Sequence, residues 1–176
     1  MRESLALLCL FSAAAFAQAK IPQRPIGSDC VSGSLKSGGV TVCNLHDAMS
    51  SVPLVRLAGH NEQLDLTSGP DDNPGMGWVG LESLKSSLWV GVLDWQIESP
   101  GHELVVVTST DAGKSWTRLS SVTKPHYTAL FRSLKLKTAR EWTLEIALDD
   151  CAGCGERPGV RVYETHDAGA HWALRR

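Results

Sequence analysis

From residue 77 onward short apolar runs, some alternating with polar residues, recur between turn signals, and no 3.6-residue period is sustained. That pattern predicts strands over residues 78–81, 87–95, 103–109, 116–119, 127–136, 141–148, 160–165 and 172–174. Val, Thr and Trp, which suit a pleated surface, are frequent in them. Before residue 77 the pattern is weaker. Residues 30–43 read as strand–turn–strand around Ser37-Gly38-Gly39, with Val40-Thr41-Val42 as a short β run. Residues 46–51 are expected to open a short helix with Asn44 as its N-cap. Short strands are expected over 52–57 and 63–67, joined through Gly59-His60-Asn61. Pro22, Pro25 and Gly27 make residues 20–29 a tether, and Gly69-Pro70-Asp71-Asp72-Asn73-Pro74-Gly75 makes 68–77 a loop.

The N-terminus follows another rule. Arg2 precedes an almost wholly apolar run over residues 5–16, and Ala17-Gln18-Ala19 supplies a small-x-small cleavage site. The run is short of the roughly 20 residues a membrane-spanning helix needs. Residues 1–19 are therefore expected to be a signal peptide, cut after Ala19, and the protein to be extracytoplasmic, either secreted or periplasmic. Removing 19 of the 176 residues leaves 157, and residues 30–176 fit a single all-β domain. The net charge of −2 comes with no basic stripe, so nucleic acid is not an expected partner. No second apolar run is long enough to span a membrane.

One eight-residue pattern occurs twice, 56 residues apart. Ser109-Thr110-Asp111-Ala112-Gly113-Lys114-Ser115-Trp116 and Thr165-His166-Asp167-Ala168-Gly169-Ala170-His171-Trp172 both read hydroxyl-x-Asp-x-Gly-x-x-Trp. Each residue type suits a hairpin tip. Asp111 and Asp167 can accept hydrogen bonds from turn N–H groups that have no ladder partner. Gly113 and Gly169 can take positive φ. Ser109 and Thr165 can bond locally, and Trp116 and Trp172 can bury a large ring under the turn. The repeat extends upstream: 104–108 superposes on 160–164, and Trp89 and Trp142 each open an alternating strand. Repeat units are thus expected over about 87–119 and 141–175.

The two octapeptides resemble Asp-box motifs, or BNR repeats, of the sialidase-like β-propeller repeat superfamily. The resemblance implies stapled hairpins at the outer turns of propeller blades, and says little about chemistry, because such boxes occur in enzymes and in non-catalytic extracellular proteins. The expected fold is all-β: two propeller-blade-like antiparallel sheets packed as a compact incomplete propeller or sandwich. Sialidases need six blades, an arginine triad, a Tyr–Glu pair and an Asp acid/base. A chain of this length holds too few blades, Arg24-Pro25-Ile26 has the wrong order for that family's Arg-Ile-Pro, and the adjacent Tyr163 and Glu164 would face opposite sides of a strand. No catalytic residue is carried over. Two blades cannot close a ring, so either residues 30–67 cover the open edges or the protein self-associates through them.

Five cysteines are present; Cys9 falls within the signal segment, leaving Cys30, Cys43, Cys151 and Cys154. An oxidising compartment makes disulfides the expectation. Of three possible pairings, Cys30–Cys43 and Cys151–Cys154 are favoured by proximity. The alternative for Cys151-Ala152-Gly153-Cys154 is a zinc site completed by His166 and His171. A calcium loop at Asp71-Asp72-Asn73 is the weaker reading of an acidic turn. Trp78 and Trp95 lack repeat partners and are read as core or, alternatively, as exposed platforms for sugars. No nucleophile elbow or metalloprotease helix occurs, and no cofactor is expected. These features together point to a non-enzymatic binding or assembly module for a protein or glycan ligand. The alternatives are a sialidase-like glycoside hydrolase and a zinc-dependent extracytoplasmic module.

Overall fold

The computed structural model describes residues 20–21, 23–26, 32–47, 50–64, 76–95, 103–126, 128–149 and 157–175. In chain order the strands are β1 (Lys20–Ile21), β2 (Gln23–Ile26), β3 (Ser32–Ser37), β4 (Val40–Asp47), β5 (Ser50–Leu57), β6 (His60–Leu64), β7 (Met76–Leu84), β8 (Leu88–Trp95), β9 (Glu103–Ser109), β10 (Trp116–Thr123), β11 (Leu130–Leu136), β12 (Trp142–Leu148), β13 (Gly159–Thr165) and β14 (Ala173–Leu174). They form three antiparallel sheets: an N-terminal sheet in the order β2-β6-β5-β4-β3, a middle sheet β1-β10-β9-β8-β7, and a C-terminal sheet β11-β12-β13-β14. The described residues are all-β, with several antiparallel sheets and none among them closed into a barrel. Among the described residues no helix is long and apolar enough to cross a membrane.

The middle sheet is buried on both faces, which is why its strands carry unbroken apolar runs such as Leu104-Val105-Val106-Val107. Leu93, Val105 and Val107 join Val40, Val42 and Val55 of the N-terminal sheet in one core cluster. Val90, Val92, Leu104 and Val106 turn the other way and join Leu134, Trp142, Leu144 and Ile146 of the C-terminal sheet in a second. Each such fully buried side chain contributes about 1.5–3 kcal/mol. Where β7 meets β11, a Cβ on Gly80 would collide with the Phe131 ring, so glycine sets how closely these sheets approach.

Three differences from the expectations have physical causes. His46, Asp47, Ser50 and Ser51 are strand and not helix: β4 and β5 pair antiparallel from Thr41↔Arg56 to Asp47↔Ser50. Asn44 caps nothing and instead clamps the backbone of Trp78, accepting from its N–H at 2.7 Å and donating to its carbonyl at 3.1 Å. Residues 20–29 hold two edge strands: β1 pairs with β10 and β2 with β6. Pro25 fits there because an edge strand need not donate on its outer side. Residues 30–67 do not complete a two-sheet sandwich but contribute most of a third sheet.

Cys43 is the one cysteine among the described residues; it is fully buried beside Val52 and Leu54 and is disulfide-bonded. The expected pairings Cys30–Cys43 and Cys151–Cys154 both reach cysteines outside the described residues. Cys30, Cys151 and Cys154 lie outside the described residues, as do Asp71, Asp72 and Asn73.

Candidate functional site

The two octapeptides are equivalent in space. The first joins β9 to β10 and the second joins β13 to β14. The register preserves the upstream match: Trp89 pairs with Ser109, and Trp142 pairs with Thr165. In the first turn the Ser109 hydroxyl donates to Asp111 Oδ1 at 2.9 Å and accepts from the Gly113 N–H at 2.9 Å. The Thr165 hydroxyl does the same, donating to Asp167 Oδ1 at 2.7 Å and accepting from Gly169 N–H at 3.1 Å. Each Asp then reaches four residues forward. Asp111 accepts from the Ser115 N–H at 2.8 Å and its hydroxyl at 2.6 Å. Asp167 accepts from the His171 N–H at 3.0 Å, and its Oδ2 lies 2.7 Å from His171 Nδ1.

These bonds set the acidity of both carboxyls. At Asp167 the His171 N–H and ring, with the Thr165 hydroxyl, favour the charged form over a modest burial penalty and hold the carboxyl well below the usual carboxylate range. At Asp111 burial pushes the pKa up, but the Ser115 hydroxyl and N–H and the Ser109 hydroxyl together outweigh it and hold it low. Both Asp residues are thus ionised acceptors committed to their own turns.

Sequence alone placed positive φ at Gly113 and Gly169, where it is found at 82° and 83°. It missed that Ala112 and Ala168 precede them at 60° and 61°. It also missed Ser115 and His171 as the forward donors, although their shared offset from the Asp was the available signal.

Each turn leans on the preceding sheet. Gly113 sits against Val40 and Val55, and Gly169 against Leu119 of β10. Trp116 Nε1 donates to Gly113 O at 3.1 Å, whereas Trp172 Nε1 donates to the Ser120 hydroxyl at 3.1 Å, which in turn donates to Gly169 O. The surroundings then diverge. Ile21 of β1 pairs with Trp116 and lies in its core cluster, Gln23 Nε2 reaches Gly113 O, and Trp116 has 0% exposure. At the second turn no described strand lies outside β14, and Trp172 is only partly buried. It borders an open depression of about 390 Å³ with Tyr163, His171 and the β10 residues Ser121, Val122 and Thr123. A depression lined by two aromatic side chains, hydroxyls and an imidazole can bind a ligand by apolar contact and hydrogen bonding.

The remaining sequence candidates do not converge there. His166 faces Glu141 at 3.9 Å, apart from the His171–Asp167 pair. Among the described residues no three His, Cys, Asp or Glu side chains come together to hold a metal. Trp78 is buried, its Nε1 donating to Leu54 O at 3.0 Å, so it is no exposed platform; the Trp95 side chain lies outside the described residues. Tyr163 and Glu164 stand on successive positions of β13, which a strand directs to opposite faces. Compared with protein-family models, curated proteins and solved structures, the chain matches none.

Proposed function

We propose that this chain is a non-enzymatic, extracytoplasmic binding or assembly module built on Asp-box repeats of the BNR type, and that it engages its ligand beside the second box. The three sheets read as consecutive blades of an open propeller. The C-terminal sheet is a four-strand meander and the middle sheet contains one in β7–β10, each with the stapled turn between its third and fourth strands. The N-terminal sheet has the same meander in β3–β6, with the short Ala58-Gly59 turn in place of a box.

The observation that carries the binding reading is the exposure of Trp172 where its counterpart Trp116 is sealed. A ring held by a rigid turn and partly open to solvent is a pre-organised contact, and such contacts lose little entropy on binding. The carboxylates with altered acidity, Asp111 and Asp167, are lowered and internally bonded, which suits a scaffold better than acid–base work.

The test is a glycan and peptide array probed with the protein and its Trp172→Ala variant, beside a panel of chromogenic glycosides. Binding that the variant loses supports the reading. Turnover of any glycoside, or array binding indifferent to Trp172, overturns it. Mass analysis of the protein recovered from an exporting host checks the compartment: the expected species begins at Lys20.

A further inference from the structure

We infer that the outer edge of β14 is a docking site for an extended peptide, which adds as a strand and places a branched aliphatic side chain over Trp172. This rests on the binding reading above and names the ligand class. The chain itself supplies the precedent. At the first box, β1 adds to the outer edge of β10 with Lys20 opposite Thr117 and Ile21 opposite Trp116. The repeat offset of 56 makes Trp172 and Ala173 the equivalents of Trp116 and Thr117. Among the described residues nothing pairs with that second edge.

The edge is suitably built. The Arg175 N–H donates inward to Val162 O at 2.8 Å. Antiparallel ladders alternate, so the Leu174 N–H and carbonyl point outward, free of β13. Ala173, Leu174 and Arg175 are all exposed, Leu174 at 45%, which is unusual for a large apolar side chain on a strand beside a tryptophan. An exposed edge with an apolar anchor invites strand addition, in which main-chain bonds give affinity and a side-chain pocket gives specificity. Ile21 shows what fills such a pocket: it is buried to 8% exposure in the cluster that contains Trp116.

The chain's own segment provides the probe, a synthetic peptide Lys-Ile-Pro-Gln-Arg-Pro-Ile corresponding to residues 20–26. It is titrated into isotope-labelled protein while backbone and indole resonances are followed. Saturable shifts at Ala173, Leu174 and the Trp172 indole are expected. Replacing the first Ile of the peptide by Asp, Trp172 by Ala, or Leu174 by Pro should each weaken binding at least tenfold. The Leu174→Pro change removes the outward N–H while leaving the tryptophan in place, so it separates strand addition from simple apolar contact. Shifts confined to Trp116 and Thr117 would mean that the peptide displaces β1, and would overturn the inference. A saturable glycan response at the Trp172 indole, without a peptide response at the edge, would sink the inference and leave the binding reading standing. Silence towards both peptide and glycan would sink the two together.

Discussion

Trp116 and Trp172 close the same turn 56 residues apart, yet only Trp116 is wholly shut away from solvent. The difference comes from neighbours. Trp116 lies under Ile21 and its ring centroid is 5.1 Å from that of Trp78. Trp172 has Trp142 at 6.4 Å and open space beside it. Stability should divide accordingly. Trp116→Ala is expected to cost about 3–5 kcal/mol, as for a large core truncation. Trp172→Ala should cost roughly 1–2 kcal/mol, because less area is lost from a partly wet site. Urea unfolding of both variants measures this, and equal losses would mean that the two rings share one environment.

The turn backbone yields a second prediction. Ala112 and Ala168 hold positive φ, which costs an L-residue roughly 1–2 kcal/mol. Ala168→Gly relieves that strain against a smaller entropic loss in the unfolded chain, so its stability should be unchanged or raised by up to about 1 kcal/mol. Gly169→Ala should go the other way, and further than Gly113→Ala. A Cβ at 169 runs into the Trp142 ring, whereas one at 113 stands 3.1 Å from a methyl group of Val40. Thermal melts of the three variants give the order; Gly113→Ala proving the worst of them would contradict the packing described.

Acid should loosen the boxes. Both carboxyls are depressed in the folded protein, by the His171 donors at Asp167 and by the Ser115 and Ser109 donors, against burial, at Asp111. A depressed folded pKa means that the unfolded chain binds more protons in that window, so stability rises with pH. The contribution is complete above the unfolded Asp value of about 3.9 and is lost as pH falls through the folded values. Melting temperature should drop more steeply below about pH 4 in the parent than in an Asp111→Asn, Asp167→Asn double variant. Parallel acid limbs would show that the two carboxylates carry no such linkage.

How much of this was legible in the sequence depended on whether local pattern or distant partners decide each element. The strand over 103–109 was read to the residue, because Glu103–Ser109 is buried on both sides and ends in the box. Trp89 and Trp142 were matched as repeat equivalents from the alternation they open, and their registers agree. Asn44 misled because a lone Asn before a polar stretch reads as a cap; its true partner, Trp78, is 34 residues away. The proline-rich N-terminus misled for a related reason: β1 has only two residues, and its pairing with β10 has no local signature. The groove was invisible because Ser121, Tyr163 and Trp172 meet only when two sheets stack.

The sharpest packing test lies away from the boxes. Lys124 Nζ and Asp94 Oδ1 are 2.7 Å apart with side chains 3% and 11% exposed. By strand alternation Asp94 shares the middle-sheet face that Val90 and Val92 present to the C-terminal sheet. Lys124 reaches it from just beyond β10. Taking two charges out of water is costly, and the pair persists because each neutralises the other. Lys124→Met takes an opposing charge away from the buried Asp94 carboxylate, so it should cost roughly 3–5 kcal/mol. Removing both charges restores an apolar interface: Lys124→Met with Asp94→Leu should recover most of that loss. Denaturant unfolding of the two singles and the double closes the cycle. Additive losses, with the double variant as unstable as the sum of the singles, would mean that the two side chains are not energetically coupled.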